Sequence, residues 1–439
     1  MTEDRRPLRS QTEDKTLAHP SSFLLSSVSK SSVFSLITNN LQHLAEAPML
    51  ILVANLGSTS FKYRLFRMAE QGGEVIAKGA YERVTDFAEV IADALASLQR
   101  DGVIASADAI DAVGFKTVLG KDLSGCVTAD QAVIDALDGF TAVAPAHNPS
   151  YAAGIRQFAK SLPKARLVAL FETAFYQWST AAATTYAIPK QWRDIGIRRY
   201  GFHGASHKFI AERSAELCGR EDVARIARRL YLDGPQPVAA APLRVVSCHL
   251  GGSSSVTGIR NGVAIGTSMG FSPQSGVPQN NRVGDLDSGA IPYAMRTLGI
   301  TLDEAERQLT QQSGLLGLSG VSNDIRDIYA AAAAGNPDAR LALDTFVHSI
   351  RHWSGAFHFE LGGLDALVFT AGIGENGVAI RAAVCANLEP FGIHLDAAKN
   401  AACGATEAVI STAGSAVQIL VIPANEELVL AREVFRKLS

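Results

Sequence analysis

Nowhere in this chain do roughly 18 apolar residues run uninterrupted, the length a bilayer-spanning helix requires, so no segment reads as membrane-spanning. Cysteine is scarce. Cys126, Cys218, Cys248, Cys385 and Cys403 lie scattered without C-x-x-C spacing, which fits neither a zinc site nor a disulfide framework and suits a reducing cytoplasm. Neither sign of charge prevails: a net charge of -3 gives no reason to expect nucleic acid as a partner. Proline is sparse at 16 residues against 38 glycines, which points to tight backbone turns rather than disorder.

What the chain does have is length. At 439 residues it exceeds what one hydrophobic core usually serves, so two domains with a cleft between them are expected. Residues 1–48 stand apart, Ser-rich and without periodicity, and read as a flexible extension or an over-extended start. The acids Glu3, Asp4, Glu13 and Asp14 argue against an organelle transit peptide, and the serines from Ser26 to Ser35 interrupt any secretory apolar core.

From Met49 the pattern changes. Residues 49–66 read as a buried strand, a turn of small hydroxyl residues and an alternating strand. Residues 244–263 repeat that plan, and the two turns, NLGSTS and HLGGSSS, suggest an internal duplication. Helices are expected over 86–100 and 207–218, with an inserted helix and Pro-rich connector over 219–243. Apolar runs at 364–370 and 417–422 each end in a polar turn before a helix, so the architecture is α/β.

Small residues after a strand let backbone N–H groups approach an anion. Three segments qualify: 55–60, 249–255 and 370–376, the last read as a Gly-rich loop. Each alone is more often a plain turn. Lys62 follows the first, either as a phosphate contact or as a solvated strand lysine. RRYGFHGASH, residues 198–207, gathers two arginines and two histidines and suggests an anion site, while Gly204 between His203 and His207 speaks against zinc. Arg282 lies in a long polar Gly/Pro loop. Asp324 and Asp327 belong to a mechanism or to a helix start capped by Ser322 or Asn323. Glu426 either caps a helix or holds magnesium through hard oxygen ligation. Glu172 ends an apolar run too hydrophobic for an unpaired charge, which implies a partner or a catalytic task.

Taken in order, these pieces resemble the acetate kinase family of the actin, hexokinase and sugar-kinase superfamily, from Met49 nearly to the end. The resemblance implies two ribonuclease H-like (actin-like ATPase) domains around an active-site cleft, spanning 49–171 plus 427–439 and 172–426. It implies Mg²⁺, ATP/ADP as co-substrate, a short-chain carboxylate or acyl phosphate, and a homodimer. NLGSTSFK is similar to the family's NAGSSSLK, which assigns Asn55 to magnesium and Ser58, Ser60 and Lys62 to phosphates. APAHNP resembles APLHNP, making His147 a substrate-site histidine. His203 in YGFHG and its partner Arg282 are then the groups that stabilise the transferring phosphoryl. The nucleotide is expected along His249, Leu250, Gly251, Gly252 and Ser253, against Asp324, Ile325 and Arg326, and across Gly372, Ile373, Gly374, Glu375 and Asn376. Glu426, in PANEEL, matches the second magnesium-linked residue.

The departures are specific. Lys116 stands where the family's arginine grips the substrate carboxylate, keeping the charge without the two-pronged fork. Glu172 replaces the catalytic aspartate, Tyr176 a following histidine, and Gly252 an asparagine whose amide contacts phosphate. The acyl pocket keeps Val118, Phe202 and Pro273 but has Ala146 in place of a leucine, which makes room for propionate or butyrate beside acetate. The leading expectation is a working Mg-ATP-dependent kinase of short-chain acids. The alternatives are a catalytically impaired nucleotide-binding relative with a regulatory role, and a kinase using another donor such as pyrophosphate.

Overall fold

The computed structural model describes residues 48–70, 72–141, 143–144 and 147–439; the expectations for the 1–48 extension other than Pro48, and for Ala146, lie outside these residues. From Pro48 onward the chain builds two six-stranded mixed sheets, each flanked by helices.

The first sheet has the order β3-β2-β1-β4-β6-β5. Its strands are β1 (Met49–Leu56), β2 (Ser60–Ala69), β3 (Gly72–Glu82), β4 (Ala112–Thr117), β5 (Cys126–Thr128) and β6 (Arg166–Phe171). β1 and β2 form the expected hairpin, with Asn55 opposite Lys62, and β4 and β6 run parallel to β1's direction as crossover strands. Alternating Val, Leu and Phe positions of these strands are sealed by helices α1 (Phe87–Arg100) and α2 (Asn148–Ser161) and by the last helix of the chain.

The second sheet, ordered β11-β12-β10-β7-β8-β9, repeats the central pattern. It contains β7 (Arg244–Leu250), β8 (Ser254–Arg260), β9 (Val263–Thr267), β10 (Ala366–Thr370), β11 (Ala408–Val409) and β12 (Gln418–Val421). Here too a hairpin, β7 to β8, carries a Gly-Ser turn at one end and a parallel strand, β10, along its other edge. One face packs on α3 (Gly204–Leu217) and α4 (Glu221–Asp233), the helix expected as an insertion. The other packs on α6 (Ile325–Ala333) and α7 (Pro337–Leu361), which follow α5 (Leu302–Gln311) in the chain.

One expected loop is a helix. Residues Ala371–Asn376 form α8, entered through Ala371 at φ 63, followed directly by α9 (Val378–Cys385). The Gly-rich composition suggested a loop, but tertiary contacts decide. Arg381 of α9, completely buried, donates to the carbonyl oxygens of Gly374 at 2.9 Å and Glu375 at 2.6 Å, satisfying the end of the short helix. It also bonds Asn400 and the carbonyl of Cys403, so its charge is spread over carbonyl dipoles rather than a carboxylate.

The last helix, α10 (Glu426–Leu438), crosses back to the first sheet, burying Val429, Leu430, Val434 and Phe435 in that core. Buried Lys208 of α3 pairs with buried Glu433 of α10, and Arg436 joins Glu433 at 2.7 Å and Glu212 at 3.0 Å. The helix that begins after His203 is thereby fastened to the helix that begins at Glu426.

Candidate active site

Two cavities are lined by residues of both halves and a third by the second half alone. The first, about 520 Å³, is bounded by Val53, Asn55, Arg64 and Lys116 on one side and His249, Gly372, Glu375 and Glu426 on the other. The second, about 530 Å³, lies by Val118, His147, Phe202, Pro273 and Arg282. The third, about 640 Å³, runs along Gly251, Gly252, Asn280, Asp324 to Arg326, and Gly372 to Asn376.

At the centre Lys116, the partly buried end of β4, reaches Glu426 Oε2 at 2.5 Å and Glu172 Oε1 at 3.0 Å. Glu172 follows β6 directly and is 5% exposed. Burial pushes its carboxyl up against the opposing pull of Lys116, while Glu426 adds repulsion. For Glu426, burial works upward too, but Lys116 and then His249 outweigh it and hold the carboxyl below its ordinary value. Lys116 is the converse case: burial disfavours its charge, yet the two carboxylates raise it further. Neither Glu172 oxygen has a hydrogen-bond partner of good geometry among the described residues. The cap of α10 is Asn425, whose Oδ1 accepts from Leu428 N at 3.1 Å, so Glu426 is released from the capping role to face the cavity.

His203 precedes α3 in the left-handed region, φ 60 and ψ 27. Gly204 is required beside it: a Cβ there would collide with the carbonyl oxygen of Glu172, to which Gly204 N donates at 2.9 Å. The His203 ring stacks on His249 with centroids 4.1 Å apart, and its Nδ1 lies 2.8 Å from Ser255 Oγ. Burial, then the neighbouring His249, His207, Lys116 and Arg282, hold its pKa well below the ordinary value. The ring is therefore a neutral hydrogen-bonding group at pH 7. Tyr176, in the place of a family histidine, donates to the carbonyl of Phe202 at 2.7 Å and so props the turn that presents His203.

Arg282 has no carboxylate partner among the described residues. Its Nη1 donates to Gln279 Oε1 at 3.2 Å, and Ser253 Oγ donates to the same oxygen at 2.8 Å. An arginine held by neutral groups only, with its pKa lowered by burial, keeps its charge available for an anion. His147, before α2, is likewise kept neutral by burial, then by Arg282 and Lys116. Val118, Phe202 and Pro273 line the same cavity as His147 and Arg282.

The remaining expected residues divide. Gly251, Gly252, Asp324, Ile325, Arg326, Gly372, Ile373 and Asn376 do line one cavity. His249 and Glu375 line the adjoining one, and Glu375 Oε1 accepts from Ala424 N at 2.8 Å. Leu250 and Gly374 are buried backbone supports, and Ser253 acts through Gln279. Ser58 and Ser60 lie at the β1–β2 turn, and Lys62 pairs with Glu82 at 3.1 Å on the outer strand. Asp324, not Ser322 or Asn323, is the N-cap of α6, accepting from Arg326 N at 2.9 Å; Arg326's side chain also holds its pKa down to about 2.

Sequence reasoning missed Asn280. Its backbone N donates to Gly252 O at 3.2 Å, and its Nδ2 would lie 3.3 Å from a Cβ at Gly252. An asparagine amide thus stands across the gap that the missing asparagine at 252 opens, with Oδ1 buried and unpaired among the described residues.

The oxygens of Asn55 and Glu426 are of the hard type that a divalent cation takes. Asn55 and Glu426 face one cavity, with Glu172 across Lys116 from Glu426, although no group of three or more His, Cys, Asp or Glu among the described residues is placed to hold a metal ion by itself. The model of the acetokinase family matches residues 77–432. The chain belongs to the acetokinase family. An acetate kinase of Geobacillus kaustophilus is 39% identical over 410 residues, 88% of this chain and 98% of that protein. The crystal structure of Porphyromonas gingivalis acetate kinase superimposes with a TM-score of 0.80 at 32% identity, covering 89% of this chain and 100% of that one. A propionate kinase from Francisella tularensis gives 0.75 at 30% identity, over 88% and 98%. Acetokinase family structures have the actin-like ATPase fold, and the two mixed sheets of this chain are that fold.

Proposed function

We propose that this protein transfers the γ-phosphoryl group of ATP to the carboxylate of acetate or propionate, giving an acyl phosphate and ADP, and runs the reaction in both directions. The observation that carries the reading is the uncommitted Arg282 facing the cavity of Val118, His147, Phe202 and Pro273, close to the Lys116, Glu172 and His203 cluster. The apolar residues take the acyl chain. Lys116 and His147 orient its carboxylate for in-line attack. His203 and Arg282 meet the charge that spreads over the equatorial oxygens of the phosphoryl group in flight. Glu172, one methylene longer than an aspartate, holds Lys116 and the backbone of the His203 turn in place.

Magnesium held through Asn55 and Glu426 would supply positive charge at the phosphate oxygens. Lys116 bonds Oε2 of the same Glu426 at 2.5 Å. The adenosine would lie along Asp324 to Arg326 and Gly372 to Asn376, with Ser58, Ser60, Lys62 and the Gly251–Ser253 turn toward the phosphates. In place of the asparagine replaced by Gly252, Asn280 offers its amide.

The reading includes domains at 49–171 plus 427–439 and at 172–426, a homodimer, and a cytoplasmic location. The dimer is supported by the segment Ala290–Leu298, a helix with no buried residue that exposes Tyr293 and Leu298, with exposed Leu302 next to it. The reverse reaction tests the activity directly: ATP formed from ADP and acetyl phosphate, read by luciferase light, is expected from the native protein and lost in Arg282→Met. Equal light from both proteins would refute the assignment.

A further inference from the structure

Behind His203 lies a row of buried side chains for which phosphoryl transfer has no direct use. Ser255 Oγ lies 2.8 Å from His203 Nδ1 and also 2.8 Å from His207 Nε2, and His207 Nδ1 lies 2.8 Å from Ser247 Oγ. His207, Ser247 and Ser255 are all completely buried. The serines come from adjacent strands, Ser247 from β7 and Ser255 from β8, while both histidines sit at the start of α3, one turn apart.

Proton counting restricts this row. A serine hydroxyl has one hydrogen, and a neutral imidazole has one N–H and one lone pair. Both histidines are held neutral by burial and by their neighbours. If His207 Nε2–H donates to Ser255, the Ser255 hydrogen is free for His203 Nδ1, and Ser247 donates to His207 Nδ1. Two other arrangements make all three bonds: one reverses every one of them, and in the other Ser255, with its two lone pairs, accepts from both rings and leaves its own buried hydrogen without a partner among the described residues. Every remaining mixture sets two hydrogens or two lone pairs facing each other in a buried site.

We infer that His207, through Ser255, sets the tautomer of His203, so that His203 presents Nε2–H to the cleft. His207, Ser255 and Ser247 are positioning residues for the phosphoryl transfer. This rests on the kinase reading in one respect: the choice between the two arrangements that use every hydrogen. Lys116 and Arg282 draw an anion to His203, and an anionic oxygen accepts a hydrogen bond from Nε2–H but is repelled by a lone pair there. In the opposite arrangement the ring would weaken the transition state it faces.

The test is ¹⁵N–¹H correlation spectroscopy on the full-length, ¹⁵N-histidine-labelled protein at pH 7.5, with His203 and His207 assigned through His203→Gln and His207→Gln. The expected result is Nε2–H with an unprotonated Nδ1 in both rings. Nδ1–H in either ring overturns the inference, whatever the enzyme's activity, and leaves the kinase assignment to its own assay. Kinetics give a second arm. Ser255→Ala should lower kcat by about tenfold with KM for acid and ATP within about twofold, and Ser255→Thr, which keeps the hydroxyl, should recover most of the loss. A kcat unchanged in Ser255→Ala, or a loss carried by KM, contradicts the positioning role.

Discussion

Lys116 Nζ lies 2.5 Å from Glu426 Oε2, so the cation expected to grip the substrate is joined to the carboxylate expected to hold magnesium. Glu172 stands on the other side of the same ammonium at 3.0 Å. Lys116→Met leaves the buried carboxylate of Glu172 and the partly buried one of Glu426 facing each other without a counter-charge. Loss of one partner of a buried ion pair costs about 3–5 kcal/mol, and the acid loses its anchor as well. The variant should denature at lower urea concentration and show a KM for the acid raised at least about tenfold. A variant with native stability and KM would remove Lys116 from the site.

The stacked histidines make stability depend on pH in a defined direction. Burial first, against some help from Glu426, lowers His249 from 6.5 to about 4, and His203 and His207 also move down. Unfolding restores ordinary values, so between about 6.5 and 4 the unfolded chain binds more protons. Their contribution is therefore complete above the unfolded value and is lost as pH falls toward the folded one. For His249 alone the loss is on the order of 3 kcal/mol. Glu172, pushed up by burial, acts in the opposite sense, so the comparison is between proteins. Urea midpoints of the native chain should fall from pH 7.5 to pH 5 more steeply than those of His249→Gln. Parallel slopes would contradict it.

Asn280→Ala should raise KM for ATP by about twofold to tenfold, the worth of one hydrogen bond, and leave KM for the acid unchanged. Initial rates with each substrate varied in turn decide the matter. An altered KM for the acid alone would place Asn280 elsewhere in the reaction.

Arg381 is a stability residue with an effect on nucleotide binding. Arg381→Met strips donors from several buried carbonyls, among them those of Gly374 and Glu375. A loss on the order of 3 kcal/mol and a raised KM for ATP are expected, read from urea denaturation and ATP titration. Native stability would mean that water or a rearranged loop takes over those carbonyls.

The strand, turn and helix order was legible because local rules act within a few residues. The apolar runs ending in NLGSTS and HLGGSSS both make hairpins, and Glu172 after an apolar run announces a buried charge. What was not legible depends on residues far apart in the chain. Residues 370–376 read as a loop because glycine disfavours helix, while the group that satisfies the helix end is Arg381, an arginine that looks unremarkable within VAIRAAVC. The capping of α10 by Asn425 was one position from the residue considered. Asn280 lies across a turn from Gly252, and Ser247 and Ser255 meet His207 only after two strands and a helix have packed. None of these pairings leaves a period or a spacing in the sequence.

The most direct measurement is the yield of acyl hydroxamate from purified protein with Mg-ATP, hydroxylamine and acetate or propionate, beside Glu172→Gln. Hydroxamate that forms with the native chain, and falls by about a hundredfold or more in the variant, is the predicted result. No hydroxamate from either acid by a folded protein that still binds ATP would contradict the account.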